Sequence, residues 1–256
     1  MNVIHEAAAR THQRRETKIE TILDAAVVVL ARDGVDGLTL HAVATDLGLV
    51  TTALYRYFPS KNALLAALQR RTVTTLHGRL QAHVADLRAG SAGETEAVRS
   101  LVPIVALPGF YAAAKVAMPE AFGMLMTMLG DPRLLLAVDD AQGTVPLLGA
   151  MLGEVAAQFG QAALCGALPA GNAAQQTLIV WATLQGTLSL GKLGRFDPRI
   201  ADSEALGKAA ISALLIGWGA APRDVERALE RTLERTTDLA TSQNAPSKPA
   251  PVRKKK

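Results

Sequence analysis

The chain has 256 residues, of which 49% are hydrophobic and 20% charged, a mix too apolar for a disordered chain and long enough for one or two domains with a substantial core. A single cysteine, Cys165, excludes an internal disulfide and a cysteine-based metal cage. The formal charge of +4 is concentrated in residues 248–256, which carry five cations and no acid, so the remainder is near neutral and any contact with nucleic acid must be local.

His5 and Glu6 lead into polar, arginine-rich sequence with no secretory pattern, and a cytoplasmic protein is expected. Aromatic residues make up only 4% of the chain and period-two alternation is lacking, whereas helical periodicity recurs, so the class is all-α. Arg10, His12, Arg14, Arg15 and Lys18 form a basic arm around the start of a first helix over about 16–33. Ile19, Ile22, Leu23, Ala26 and Leu30 share one face of that helix, and Gly34 is a left-handed stop. Thr39 is the N-cap expected of a short helix over about 40–47, ended by Gly48. Another short helix spans about 51–58, where Pro59 stops it and Ser60 caps the next. The fourth helix is long, with Leu65, Leu68, Thr72, Leu76, Leu80, Val84 and Leu87 in one stripe up to the break at Gly90–Gly93.

Larger, more apolar helices are expected at about 94–114, 119–129, 133–164, 172–193, 203–219 and 222–240, with Pro103, Pro108 and Pro146 kinking or breaking them. The run 155–191 is free of charge, yet Gln158, Gln161, Pro169, Asn172, Gln175, Gln176 and Gln185 interrupt it. Buried amides are costly in lipid, so it reads as two buried helices and no membrane partner is expected. Beyond Ser242, Asn, Pro, Ser and Lys dominate, the composition of a disordered basic tail over about 241–256.

The three N-terminal helices, the last two joined by a tight turn at Gly48, form a helix-turn-helix over about 39–58. Leu40, Val43, Ala44, Leu47, Leu49, Leu54 and Phe58 supply its small core, leaving Thr51, Thr52, Tyr55 and Arg56 outward on a helix that suits the major groove. The residues Ile22-Leu23-Asp24-Ala25-Ala26, Gly34, Leu38-Thr39-Leu40, Val43-Ala44, Leu47-Gly48-Leu49 and Leu54-Tyr55-Arg56-Tyr57-Phe58-Pro59-Ser60-Lys61 resemble the DNA-binding domain of the tetracycline-repressor (TetR) family. The likeness runs through roughly residues 16–72, in order and nearly gapless.

The resemblance implies a homodimeric, ligand-responsive repressor on a double-stranded operator that is an approximate palindrome. Its head would occupy about 16–76 and a helical ligand-binding and dimerisation domain about 77–240. By position, Thr39 would contact phosphate, Thr51, Thr52 and Arg56 would face base edges, Tyr55 and Tyr57 would touch phosphate or a thymine methyl, and Lys61 would anchor phosphate. Arg56 has the fork that grips guanine O6 and N7. Where the family usually has a small hydroxyl residue capping the recognition helix, this chain has Val50, which leaves Thr51 either as a cap one residue later or as a base reader.

Trp181-Ala182-Thr183-Leu184-Gln185-Gly186, with Leu188, Leu190 and Gly194-Arg195-Phe196, is similar to the Trp-His-Gly segment of one TetR-family ligand domain class, with Gln185 in place of histidine. The helices at about 172–193 and 203–219, the second with Leu206, Ala210, Leu214, Leu215 and Trp218, are the candidates for a dimer four-helix bundle. Phe110, Tyr111, Met118, Phe122, Met124, Met126 and Met128 gather around proline-broken helices and suggest a flexible apolar effector cavity. Phe110, Tyr111, Phe122 and Met126 are its expected lining, with Trp181 or Gln185 orienting the effector by hydrogen bonding; Asp139, Asp140 and Glu154 read as solvated charges.

No catalytic, metal or cofactor site is expected. His77 and His83 lie six residues apart and do not share a helix face, and Cys165 in its Gly-Ala-Leu context reads as an inert buried thiol. The sequence therefore points to a DNA-binding regulator released by a small, largely apolar ligand; the alternative is a helical small-molecule-binding or scaffolding dimer with only non-specific DNA contact.

Overall fold

From Glu6 to Glu20 the sequence contains no glycine or proline and is rich in helix-forming residues, and the whole stretch is helical. The structure, a computed structural model, describes residues 2–130, 143–191, 193 and 202–243. Helix α1 (Asn2–Gly37) therefore starts well before residue 16, and the basic residues expected as an arm lie on a helix that continues into the head. Its regular geometry breaks at Gly34, with φ +71° and ψ −175°, a conformation open to glycine because it lacks a Cβ.

Helices α2 (Leu40–Asp46) and α3 (Thr51–Tyr55) follow, joined through Gly48 at φ +64°. Thr39 Oγ1 accepts from the Ala42 N–H at 3.0 Å, the cap its hydroxyl foretells. Helix α3 is shorter than expected: after Tyr55 the chain closes as a turn, with the Tyr57 and Phe58 N–H groups both donating to Leu54 O at 2.9 Å before Pro59. Ser60 caps α4 (Lys61–Gly90), its Oγ accepting from the Ala63 N–H at 3.0 Å. All seven stripe positions of α4, Leu65 to Leu87, are buried.

The remaining described helices are α5 (Glu96–Val105), α6 (Leu107–Ala117), α7 (Pro119–Gly130), α8 (Val145–Leu164), α9 (Ala173–Leu190), α10 (Ser203–Gly217) and α11 (Pro222–Gln243). Three prolines stand at helix starts, and the 94–114 pattern breaks near Pro108, as expected. Pro108 and Pro146 stand at the first turn of α6 and α8, and Pro119 opens α7, positions where a missing N–H leaves no bond unmade. Only Pro103 lies inside a helix, and α5 runs on to Val105. The single helix expected at 94–114 is thus two, meeting at Ala106. Taken together, 96–117 is long and apolar enough to cross a membrane, yet 56% of an 18-residue window within it is buried against the rest of the protein.

No strand occurs among the described residues, and the fold is all-α. Its buried core has two parts. One joins α1 to α4 through Ile22, Val29, Leu38, Val43, Leu54, Phe58, Leu64 and Leu68; the other gathers α4 to α11 from Val73 onward. Two residues of α7, Met124 and Met128, belong to the first part. The tail expected from residue 241 starts later, since α11 reaches Gln243. Residues 133–142 of the expected helix at 133–164, with Asp139 and Asp140, lie outside the described residues, as do Gly194, Arg195, Phe196 and 244–256.

Candidate nucleic-acid interface and apolar cavity

The head presents a polar face because Leu54 and Phe58 turn inward while Thr52, Tyr55 and Arg56 stay exposed. The Arg56 guanidinium lies 5.9 Å from the centre of the Tyr57 ring, a cation–π distance that keeps it beside α3. Thr11, Arg14 and Arg15 of α1 line the same depression as Arg56 and Tyr57, so one patch gathers three guanidinium groups from two helices. The sequence signal for Arg14 and Arg15 was the basic run itself; only the helical course of residues 2–15 shows that it lies beside α3.

Two other expected residues are partly engaged. Thr51 begins α3 but does not cap it: its hydroxyl lies 3.1 Å from His41 Nδ1, and Val50 leaves the helix start without a side-chain cap. Lys61 Nζ donates to Asp36 O at 3.0 Å, which fixes the amine at the junction of α1 and α4 while leaving it two further protons to donate. Thr39 is exposed, and its capping bond uses a lone pair, so its hydroxyl proton remains available.

The helical body holds a small apolar cavity of about 30 Å³. Leu76 and Leu80 of α4, Phe110 and Tyr111 of α6, Phe122 and Met126 of α7, Met151 of α8 and Trp181 of α9 are among its walls. His83, Phe110, Tyr111 and Phe122 form a chain of ring contacts, with centroids 5.6, 6.3 and 5.8 Å apart in turn. Five of the six residues singled out for a ligand thus meet at one cavity, and Gln185 does not. Thr177, Val180, Trp181 and Leu184 span the inward arc of α9, and at 100° per residue Gln185 falls on its flank.

Polar groups at the cavity are few. Thr177 Oγ1 donates to Ala173 O at 2.8 Å and is satisfied. The Trp181 indole nitrogen is buried without a well-formed hydrogen bond, a state that costs about 1–3 kcal/mol when nothing replaces water. Its neighbour is the Tyr111 hydroxyl: burial pushes that group well above its ordinary value of 10.0, and the adjacent indole offsets part of the rise. The two side chains interact, yet the indole N–H does not reach the geometry of a formed hydrogen bond.

Cys165 departs from the expected buried thiol. It is half-exposed and lines a polar groove with Arg88, Glu96, Arg99, Ser100, Gln158 and Gln161, where Gln161 Nε2 donates to its Sγ at 3.2 Å. The cations are distant in sequence and arrive from α4 and α5.

The outer faces of α9 and α10 complete the picture. Leu178, Ile179, Ala182, Gly186, Ser189 and Leu190 of α9 are exposed, as are Ala205, Leu206, Ala209, Ala213 and Ile216 of α10. Leu215 and Trp218, expected in this bundle, instead face the protein's own core: Leu215 is fully buried and Trp218 packs edge-on against Phe159 at 5.7 Å.

Residues 22–68 match the family model for bacterial regulatory proteins of the tetR family. Over 47 residues the chain is 40% identical to the HTH-type transcriptional repressor DrrR1 of Streptomyces coeruleorubidus, a stretch that spans 18% of this chain and 17% of that protein. Among solved structures, a protein of unknown function from Rhodococcus sp. RHA1 is similar over 78% of this chain and 94% of its own, with a TM-score of 0.61 and 24% identity. The fatty acid degradation regulator FadR from Bacillus halodurans is similar over 77% and 98%, with a TM-score of 0.57 and 17% identity. At such identities the structures establish a shared fold. Residues 22–68, which contain the helix-turn-helix, thus resemble the tetR-family domain, and a helical C-terminal domain follows them.

Proposed function

We propose that this chain is a cytoplasmic, sequence-specific transcription regulator: a homodimeric repressor released from an approximately palindromic operator by a small, largely apolar ligand. The observation that carries this reading is the tetR-type head whose exposed Thr52, Tyr55 and Arg56 stand beside Arg14 and Arg15. Arg56 reads guanine through its fork, Thr52 and Tyr55 meet base edges or a thymine methyl, and Thr39, Tyr57 and Lys61 set the register on phosphate. Thr51, tied to His41, positions α3 more than it reads bases. A head of small net charge obtains specificity from these contacts and not from a general basic field.

The C-terminal domain supports a two-state mechanism. Phe122, Leu125 and Met126 of α7 line the cavity, whereas Met124 and Met128 on the same helix pack into the head. Gln69 of α4 donates to Met128 Sδ at 3.3 Å, a second tie across that junction. A ligand that spreads the cavity walls moves α7, and with it the angle of the head. For release, the ligand must favour the state in which the two heads no longer match major grooves about 34–36 Å apart. The exposed apolar faces of α9 and α10 supply the dimer surface. The Trp181–Gly186 segment suits a ligand domain of the Trp-His-Gly type, with Trp181 at the cavity and Gly186 on the dimer face.

The test is a footprint and gel-shift titration on DNA flanking the chain's own gene. The wild type protects an approximate palindrome at physiological salt. Arg56→Ala relaxes base preference at a cost of about 1–3 kcal/mol, whereas Lys61→Ala or Arg14→Ala weakens all sequences alike and reduces the salt slope by about one. Salt-sensitive binding with no preferred site would establish the scaffolding alternative instead.

A further inference from the structure

The cavity is specific about charge. Among the described residues its lining contains no Asp, Glu, Lys, Arg or His, so a carboxylate or ammonium entering it would lose water and meet no counter-charge. The aromatic walls alone would suit a cation, but the polar group among them is a buried indole N–H, a donor that repels positive charge and attracts a lone pair. Beside it stands the Tyr111 hydroxyl, which stays protonated throughout the physiological range and can itself donate. Thr177, the other polar side chain of the lining, is committed to Ala173 O. An apolar chamber thus ends in one pair of donors that do not satisfy each other.

We propose that the cavity binds a neutral, mostly apolar molecule bearing a single acceptor oxygen, such as an aryl ketone or aldehyde, and that the Tyr111 hydroxyl and Trp181 indole N–H receive that oxygen. This names the chemical class of effector and rests on the cavity being the effector site. Bound there, the acceptor replaces the water that the indole lost on burial, while the carbon skeleton contacts Leu76, Leu80, Phe122, Met126 and Met151. A hydrocarbon of the same shape fills the space but leaves the donors unpaired, and that difference sets the discrimination.

The test uses four probes of nearly one shape, titrated calorimetrically into the full-length protein without DNA: acetophenone, α-methylstyrene, benzoate and phenyltrimethylammonium. Acetophenone is expected to bind roughly tenfold or more tighter than α-methylstyrene, with no measurable heat from either ion. Tyr111→Phe and Trp181→Phe should each lower the ratio of ketone to α-methylstyrene affinity severalfold, whatever the change in absolute affinity; having both variants guards against one of them disturbing the fold. Tightest binding of benzoate or of the quaternary ion, equal binding of ketone and hydrocarbon, an unchanged preference in both variants, or binding of none of the four would overturn the proposal. Binding in the expected order without any loosening of the operator complex would uphold the cavity chemistry and overturn the release mechanism.

Discussion

Tyr111 is where burial leaves its clearest mark on a single side chain. Its hydroxyl titrates above its ordinary value of 10.0 because the folded protein desolvates the phenolate. A group whose value is raised by folding contributes fully below its unfolded value and loses that contribution as pH climbs beyond it. Stability should therefore fall above about pH 10 more steeply in the wild type than in Tyr111→Phe, which urea titrations at pH 8 and pH 11 would show. Equal losses in both proteins would mean that the hydroxyl is solvated. The sequence revealed Tyr111 as an aromatic beside proline-broken helices, but its polar neighbour comes from Trp181, seventy residues away. For the same reason the cations around Cys165 were illegible: proximity in the fold owed nothing to proximity in the chain. Two caps were legible, because Thr39 and Ser60 act on backbone groups three residues ahead of them, whereas those at Thr95, Asn172 and Asp202 went unread.

Helix boundaries record the contest between local and tertiary forces. The stops at Gly34 and Gly48 and the buried stripe of α4 followed from the sequence, since positive φ and a continuous apolar face are local properties. The survival of α5 past Pro103 did not, because packing against the body keeps that turn helical; the early start of α1 lies in exposed helix-forming residues ahead of residue 16. The turn from α10 to α11 offers a direct test of one such junction. Gly219 has φ +102°, and a Cβ there would lie 2.9 Å from Pro169 Cγ on a ring with little room to move. Gly219→Ala should therefore cost about 1–3 kcal/mol through strain and contact together, read as a clear drop in Tm. A change within a few tenths would show that the α10–α11 turn can re-form around the methyl group.

At the scale of the whole molecule, α9 and α10 are two adjacent helices whose outer apolar residues are exposed among the described residues. A self-complementary pair of such faces closes a four-helix bundle about a two-fold axis. Ala182→Glu puts a charge at the centre of that face on an exposed position, where the monomer tolerates it and the bundle does not. Sedimentation should show the 26.9 kDa monomer in place of a species of twice that mass, and operator protection should be lost with it. An unchanged dimer would move the interface elsewhere on the body. The helices at 173–190 and 203–217 were legible in the sequence, but which of their apolar residues turn inward was settled by the core, as Leu215 and Trp218 show. The two-sided packing of α7 has a consequence for how such a protein can change over time. Side chains at 122 and 126 shape what the cavity admits, and on the same rod, about 18 Å long, 124 and 128 brace the head. On the proposed mechanism, a substitution that retunes the cavity for a new compound also alters how the head is held on DNA, so recognition and background expression drift together and a second change at 124 or 128 is needed to part them.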